Sequence, residues 1–173
     1  MRCRRILALC LILVLGPAPS SALASSLGDR VVAFCLTHLG QRVGNGECAG
    51  LAFQALKAAG ARPRTGPDYP NRGDYVWGTP VLVVGIQDGS AVRVGTYSDV
   101  QPGDVIQFRN VRIGRFHAAH HTAVVESIDS QTGLVNAFAQ NGGGRRFVFR
   151  VSYQLGKLSA GWIRIYRPVQ RGA

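Results

Sequence analysis

The chain has 173 residues and a formal net charge of +11, with 20 basic residues against 9 acidic ones. Its four cysteines are too few for the disulfide framework that supports many small exported domains. A positive, arginine-rich surface attracts polyanions such as nucleic acid, anionic lipid or charged polymers of the cell envelope.

The chain begins with the three parts of a secretory signal peptide: an arginine-rich start, an apolar run over residues 6–15, and an A-x-A cleavage site that ends at Ala24. The apolar run is too short to span a bilayer. We therefore expect cleavage after Ala24, with an uncleaved anchor as the alternative. Residues 25–173 would then form a single domain outside the cytoplasm, either periplasmic or secreted.

Cleavage would remove three of the 20 basic residues and none of the 9 acidic ones, which leaves 17 against 9 and a net charge of +8. Export argues against nucleic acid as the partner. The positive charge then indicates either affinity for anionic envelope polymers or simple solubility. We expect a monomer. Two cysteines remain after cleavage, Cys35 and Cys48.

Two helices are predicted first. Apolar residues recur at helical spacing over 27–39, with Cys35 on the apolar side, and again from Cys48 to a stop near Gly60. The segment before Cys48 contains two glycines and an asparagine, which favour a turn. A disulfide between the two cysteines is the alternative to a buried Cys35 thiol, and it would exclude Cys48 as a nucleophile.

Cys48 is the candidate nucleophile because the predicted helix starts beside it. Unpaired N–H groups and the helix dipole favour the thiolate there, whereas the neighbouring Glu47 disfavours it, so the net shift of the thiol pKa stays open. The competing interpretation is a buried structural thiol. The Cys48 backbone N–H is an available oxyanion donor, and Gln41 or Asn45 could add a side-chain donor.

Residues 61–80 have no clear period and predict a loop that lines a site. Tyr75 and Trp77, with Tyr69, could form an aromatic wall for substrate. The alternative is that these rings pack the loop onto the body of the domain.

Seven strands are predicted after this loop from β-branched, alternating residues bounded by turns, at 81–84, 91–94, 105–108, 121–128, 134–140, 146–151 and 162–166. Helices followed by an antiparallel sheet of five to seven strands indicate an α+β fold.

The chemistry of the predicted sheet lies in one hairpin. A loop over 129–133 would pair Ile128 with Leu134 and place His121 opposite Asn141, within orienting distance. The face that His121 shares with Ala123 is small and apolar, so we expect the Cys48 helix to pack there. A slip of one residue would swap these faces. The hypothesis is a Cys48–His121–Asn141 set with nucleophile, base and orienting amide.

Other uses of the histidines are weaker. His117, His120 and His121 lie within five residues, but neighbouring strand residues project to opposite faces and no H-E-x-x-H pattern occurs, so we predict no metal site. A structural, half-buried His121 is the remaining alternative.

Three segments resemble one family. The residues E-C-A-G-L around Cys48 are similar to the D-C-S-G nucleophile motif of NlpC-type cell-wall peptidases, followed by P-G-D at 102–104 and the H-T-A-V-V strand of His121. The related CHAP amidases have a similar layout, and their E-x-N ending resembles A-Q-N, which ends at Asn141. The resemblance covers roughly residues 41–141. Three residues depart from the family patterns, namely Glu47, Ala49 and Ala139.

The resemblance implies a papain-like fold, an extracytoplasmic location, no cofactor, and hydrolysis of amide bonds in peptidoglycan stem peptides or cross-bridges. By position, Cys48 matches the nucleophile, His121 the base and Asn141 the third polar residue. The alternative function is a non-catalytic binding domain on the same fold, which would use the aromatic loop and the basic surface.

Overall fold

The computed structural model describes residues 25–63 and 74–172, and none of its helices in those ranges is long and apolar enough to cross a membrane. The leader and Tyr69 lie outside the described residues. Two helices precede seven strands: α1 (Leu27–Thr37), α2 (Cys48–Ala58), β1 (Thr79–Gln87), β2 (Ser90–Val94), β3 (Val105–Ile113), β4 (Phe116–Asp129), β5 (Leu134–Ala139), β6 (Phe149–Gln154) and β7 (Leu158–Arg167).

Both helices begin and end close to where the sequence predicts. α1 starts at a capping box, in which the Ser26 hydroxyl accepts from the Asp29 N–H at 3.1 Å and the Asp29 carboxylate accepts from the Ser26 N–H at 3.0 Å. α2 begins at Cys48 itself, and Gly60 follows its end with a φ of 80°. The thiol therefore belongs to the first turn of α2.

The seven strands form one antiparallel sheet in the order β2-β1-β7-β3-β4-β5-β6. The α+β expectation is confirmed. Five strands extend beyond their predicted bounds, β5 ends at Ala139 where 140 was predicted, and β6 covers Phe149–Gln154 where 146–151 was predicted.

The helices pack on the opposite face of β4 from the one we predicted. The cluster under α1 and α2 contains Val124 of β4 and Phe138 of β5. Ala123 and Val125 instead belong to the core on the other side of the sheet. The prediction that the His121 face receives the Cys48 helix is therefore wrong, because the cross-strand pair of Val124 and the bulky Phe138 fills the space under the helices.

The hairpin between β4 and β5 has a different loop from the predicted one. Leu134 pairs with Asp129, and Ile128 pairs with Val135. A bulge between Val125 and Ser127 absorbs one residue, so that Ala123 faces Ala139. The predicted pairing of Ile128 with Leu134 is wrong, but the bulge restores the predicted register farther along the ladder.

The β4–β5 ladder ends at the Ala123–Ala139 pair, before it reaches His121. Asn141 has a left-handed φ of 58°, so the chain leaves the strand there. His121 and Asn141 are therefore not a ladder pair, which corrects the predicted hairpin geometry.

Gln140 holds the departing chain against the turn that precedes α2. Its fully buried amide accepts from the Val43 N–H at 2.8 Å and donates to the carbonyl oxygens of Val43 and Glu47, both at 3.0 Å. One side chain thus fixes both ends of the turn that positions Cys48.

We expect Gln140→Leu to lower the free energy of unfolding by about 2 kcal/mol, because it leaves the buried N–H of Val43 without an acceptor. Urea denaturation measures this loss. Gln87→Leu makes the same exchange at an exposed position and should change stability by less than about 0.5 kcal/mol. Equal effects of the two variants would contradict the role of Gln140.

Candidate active site

The Cys48 thiol lies at the first turn of α2, beside β4. Its sulfur interacts with the backbone N–H of Thr122, with the Thr122 hydroxyl and with the N–H of Ala49. Cys35 and Cys48 are both free thiols, and Cys35 is buried in the core under the helices. The structure therefore has no disulfide between Cys35 and Cys48.

Burial decides the protonation of this thiol. It raises the pKa of Cys48 above the ordinary 9.0, although the N–H groups of Thr122 and Ala49 act in the opposite direction, and the Glu47 carboxylate raises the pKa further. The sequence left this balance open. Because the net shift is upward, the resting side chain at neutral pH is a protonated thiol.

His121 lies inside an aromatic cluster on β4. Its side chain is 4% exposed, and its ring centroid lies 5.9 Å from that of Phe108 and 5.7 Å from that of Phe116. Burial lowers the pKa of His121 to about 4, because nothing compensates the imidazolium charge. No hydrogen bond to the ring is made by any residue in 25–63 or 74–172. The ring is therefore neutral at physiological pH.

The thiol and the imidazole lie at the same end of the sheet. The sulfur interacts with Thr122, the residue after His121. Burial is the main reason why the pKa of Tyr153 is raised, and the negative charge of an ionised Cys48 raises it further. The Tyr153 ring packs 4.7 Å from Phe108 and 4.9 Å from Phe116, the two rings that also contact His121. Within the described residues, no hydrogen bond joins Cys48 to His121.

Asn141 is bonded to the start of α2. Its amide nitrogen donates to the Glu47 carboxylate, whose other oxygen accepts from Arg146 at 2.5 Å. The segment nevertheless lies beside the histidine, because a Cβ added to Gly142 would sit 3.9 Å from Cε1 of His121. Asn141 thus bonds to the residue before Cys48, and the glycine that follows it lies beside His121.

A cleft of about 570 Å³ runs beside the first turns of α2. Its wall includes three of the predicted substrate-binding residues, Asn45, Tyr75 and Trp77. Trp77 is 1% exposed, so its ring also packs the loop onto the body of the domain. Gln41 lies elsewhere, since its amide donates to the Thr37 carbonyl at 3.2 Å. The remaining lining residues are Gly44, Glu47, Ala49, Gly50, Phe53 and Gln54.

Two polar residues that were not predicted from the sequence lie behind the thiol. Gln107 of β3 pairs with Thr122 of β4 in the ladder, and the Thr122 hydroxyl donates to the Gln107 amide oxygen at 3.2 Å. Strand alternation places Thr122 on the same face as Val124, which was the available signal. That signal was lost because we assigned the helices to the opposite face.

His120 points away from His121, toward a different set of side chains. Its ring contacts Arg109 and lies 3.7 Å from the buried Asp74 carboxylate. No group of three or more potential metal ligands occurs among the residues that the structure describes.

Comparison with known proteins identifies the fold. The family model of the AIM3/BBC1 cysteine proteinase-fold domain matches residues 21–173. A crystal structure of Ly7917 with the hydrolyzing product of MDP is similar over 83% of this chain and 63% of that chain, with 18% identity and a TM-score of 0.49. The crystal structure of Ly7917 alone gives 20% identity over 82% and 62%, with a TM-score of 0.47. No curated protein matches by sequence.

This chain therefore spans less than two thirds of the length of Ly7917. The family match confirms the expectation of a papain-like, cysteine peptidase-type fold.

We expect His121 to make stability depend on pH below neutrality. Its pKa is about 4 in the folded protein against 6.5 as the ordinary value, so the unfolded chain binds more protons between these limits. The stability that the neutral ring contributes is fully present above pH 6.5. The free energy of unfolding falls by roughly 3 kcal/mol as the pH is lowered toward 4. Urea denaturation across this range should therefore show a shallower pH dependence for His121→Gln than for the wild type.

His117→Gln is the matched control, because His117 lies exposed on the same strand. That variant should keep the wild-type pH dependence. Parallel curves for the wild type and His121→Gln would show that His121 is not buried as a neutral ring.

Proposed function

This chain belongs to the AIM3/BBC1 cysteine proteinase-fold family, and we propose that it is a thiol-dependent hydrolase of amide or peptide bonds. The observation that carries the proposal is the placement of three features along α2 and β4, where the cleft is lined by Glu47 and Ala49, the two neighbours of Cys48, and not by Cys48 itself. A free thiol in the first turn of α2 lies against the strand of a buried, neutral histidine, and an open cleft runs along the same helix.

Cys48 is the proposed nucleophile and His121 the proposed base. The resting pair is neutral, so the imidazole takes the thiol proton as the sulfur bonds to the substrate carbonyl carbon. The Cys48 N–H stabilises the resulting oxyanion. The imidazolium then returns the proton to the departing amine, and water hydrolyses the thioester to release the acid and the free thiol.

Asn141 is the proposed orienting residue for His121. Its amide nitrogen is taken by the Glu47 carboxylate, which leaves the amide oxygen as an acceptor for a ring N–H. Such an acceptor would select one tautomer of the ring and stabilise the imidazolium that forms during the reaction. Gln41 has no part in this proposal, because its side chain lies outside the cleft.

The cleft suits a peptide. It combines aromatic surface from Phe53 and Tyr75 with the amides of Asn45 and Gln54, which can bind backbone groups of an extended chain. The motifs around Cys48 and His121 support stem peptides or cross-bridges of peptidoglycan as the finer substrate class. The predicted export and the net charge of +8 that would remain after cleavage, with 17 basic residues against 9 acidic ones, fit an anionic envelope as the site of action.

A non-catalytic binding domain is the second candidate. One observation favours it: the thiol is protonated at rest and makes no hydrogen bond to His121 within the described ranges. In that case the cleft would bind a peptide without cleaving it.

We expect Cys48→Ala to abolish hydrolysis of purified peptidoglycan and of synthetic stem peptides, because no nucleophile remains. Release of new amines, followed by mass spectrometry of the products, measures the reaction. Cys35→Ala is the matched control, since it removes the buried thiol and should retain most of the activity.

Binding of the same peptides without cleavage by the wild-type protein would favour the binding domain. Equal cleavage by the wild type and Cys48→Ala would refute Cys48 as the nucleophile.

A further inference from the structure

Two polar side chains attach the wall of the cleft to the sheet, one on each side of Tyr75 in the chain. Asp74 precedes this ring and is 2% exposed. Trp77 follows it and donates its indole N–H to the amide oxygen of Gln107 at 3.0 Å. Tyr75 and Trp77 both line the cleft, and their rings meet edge to face with centroids 5.2 Å apart. The position of Tyr75 therefore depends on both attachments.

Basic side chains from three strands surround the Asp74 carboxylate. Its Oδ2 lies 3.6 Å from Nη1 of Arg164 on β7 and 3.9 Å from Nε of Arg109 on β3, and its Oδ1 lies 3.7 Å from Nδ1 of His120 on β4. The three strands are neighbours in the sheet, in the order β7-β3-β4. One carboxylate at the start of the cleft wall thus faces a basic pocket, formed by Arg109, His120 and Arg164.

Charge dominates the contact between Asp74 and the basic pocket. All three distances are longer than an ordinary hydrogen bond, and no residue that the structure describes makes a hydrogen bond to Oδ1 of Asp74. Because the carboxylate is almost fully buried, salt and water screen its attraction to the guanidinium groups much less than at the surface. Arg109 and Arg164 approach the same oxygen, so they would repel each other if its negative charge were removed.

We propose that Asp74 is a positioning residue for the substrate cleft, whose negative charge binds the basic pocket and so holds Tyr75 in place as a preformed wall. A wall that is ordered before binding lowers the entropy cost when a peptide enters the cleft. The role rests on the cleft as the peptide site of the proposed function, but the first part of its test needs no peptide.

The first part measures amide hydrogen exchange of residues 75–77 in the full-length protein. Asp74→Asn keeps the shape of the side chain and removes its charge, and we expect exchange in this segment to become about tenfold faster. Asp74→Glu keeps the charge, so exchange should stay within about threefold of the wild type. A steric or hydrogen-bonding role would give the opposite order of the two variants and would overturn the proposal. Asp88→Asn, in the exposed turn between β1 and β2, is the matched control and should leave this exchange unchanged.

A pair of variants in the basic pocket gives the same test if Asp74→Asn fails to fold. Arg164 is partly exposed, with 22% of its side chain accessible, so its replacement is milder. Arg164→Gln removes one positive charge and should speed exchange of residues 75–77, whereas Arg164→Lys keeps the charge and should preserve the wild-type rate. Equal exchange in Arg164→Gln and Arg164→Lys would refute an electrostatic attachment.

The second part measures the affinity for a synthetic stem peptide by calorimetry, in a Cys48→Ala background that prevents cleavage. We expect Asp74→Asn to raise the Kd about tenfold and Asp74→Glu to change it by less than about threefold, because a mobile wall must be ordered on binding. Faster exchange with an unchanged Kd would show that Asp74 does not position the wall for substrate. If no variant binds the peptide, the proposed substrate is wrong, and the exchange rates alone decide whether the charge of Asp74 holds the wall.

Discussion

The early end of the β4–β5 ladder is the constraint on which the candidate site depends. Past the Ala123–Ala139 pair, β4 keeps β3 as a partner on one side, while the described β5 ladder does not continue on the other. The Thr122 N–H interacts with the Cys48 sulfur at this place. A strand that continued to Asn141 would occupy the edge where the thiol now lies.

This arrangement places a thiol and a histidine that belong to different faces of the sheet at the same end of β4. The body of α2 packs over Val124, whereas the His121 ring lies in the core on the opposite side of the sheet. At the end of the ladder the thiol is close to the edge of β4. An ionised Cys48 raises the pKa of Tyr153, which lies on the same side of the sheet as His121. Burial keeps both side chains neutral, so the proposed mechanism moves the thiol proton during attack and does not start from a stable ion pair.

The sequence was informative where local chemistry decides the structure. The glycines before Cys48 and Gly60 after α2 predicted the helix bounds well, and β-branched alternation predicted all seven strands. The register at Ala123 was also correct, although it arises from a bulge that compensates a shorter hairpin loop. The conformation of Asn141 could not be predicted, because a left-handed residue at a strand end depends on the Gln140 side chain packing elsewhere.

The wrong assignment of the helices to a face of β4, and the direction of the Cys48 pKa shift that the sequence left open, both depend on packing between distant residues. Both faces of β4 carry apolar side chains, so alternation alone does not say which face the helices cover. The thiol pKa likewise depends on how deeply Cys48 is buried, which outweighs the helix terminus. The polar set of Gln107, Thr122 and Trp77 joins three separate elements, and only its strand pairing has a local signature.

Trapping of the acyl-enzyme tests the central claim most directly. The full-length protein is mixed with an activated ester of a short peptide, quenched in acid over a time course, and mapped by mass spectrometry. The account predicts a thioester on Cys48 that forms at least about 100-fold faster in the wild type than in His121→Gln, in line with the loss of a general base. Acylation of another residue, or equal rates in the two proteins, would contradict the pairing of Cys48 with His121.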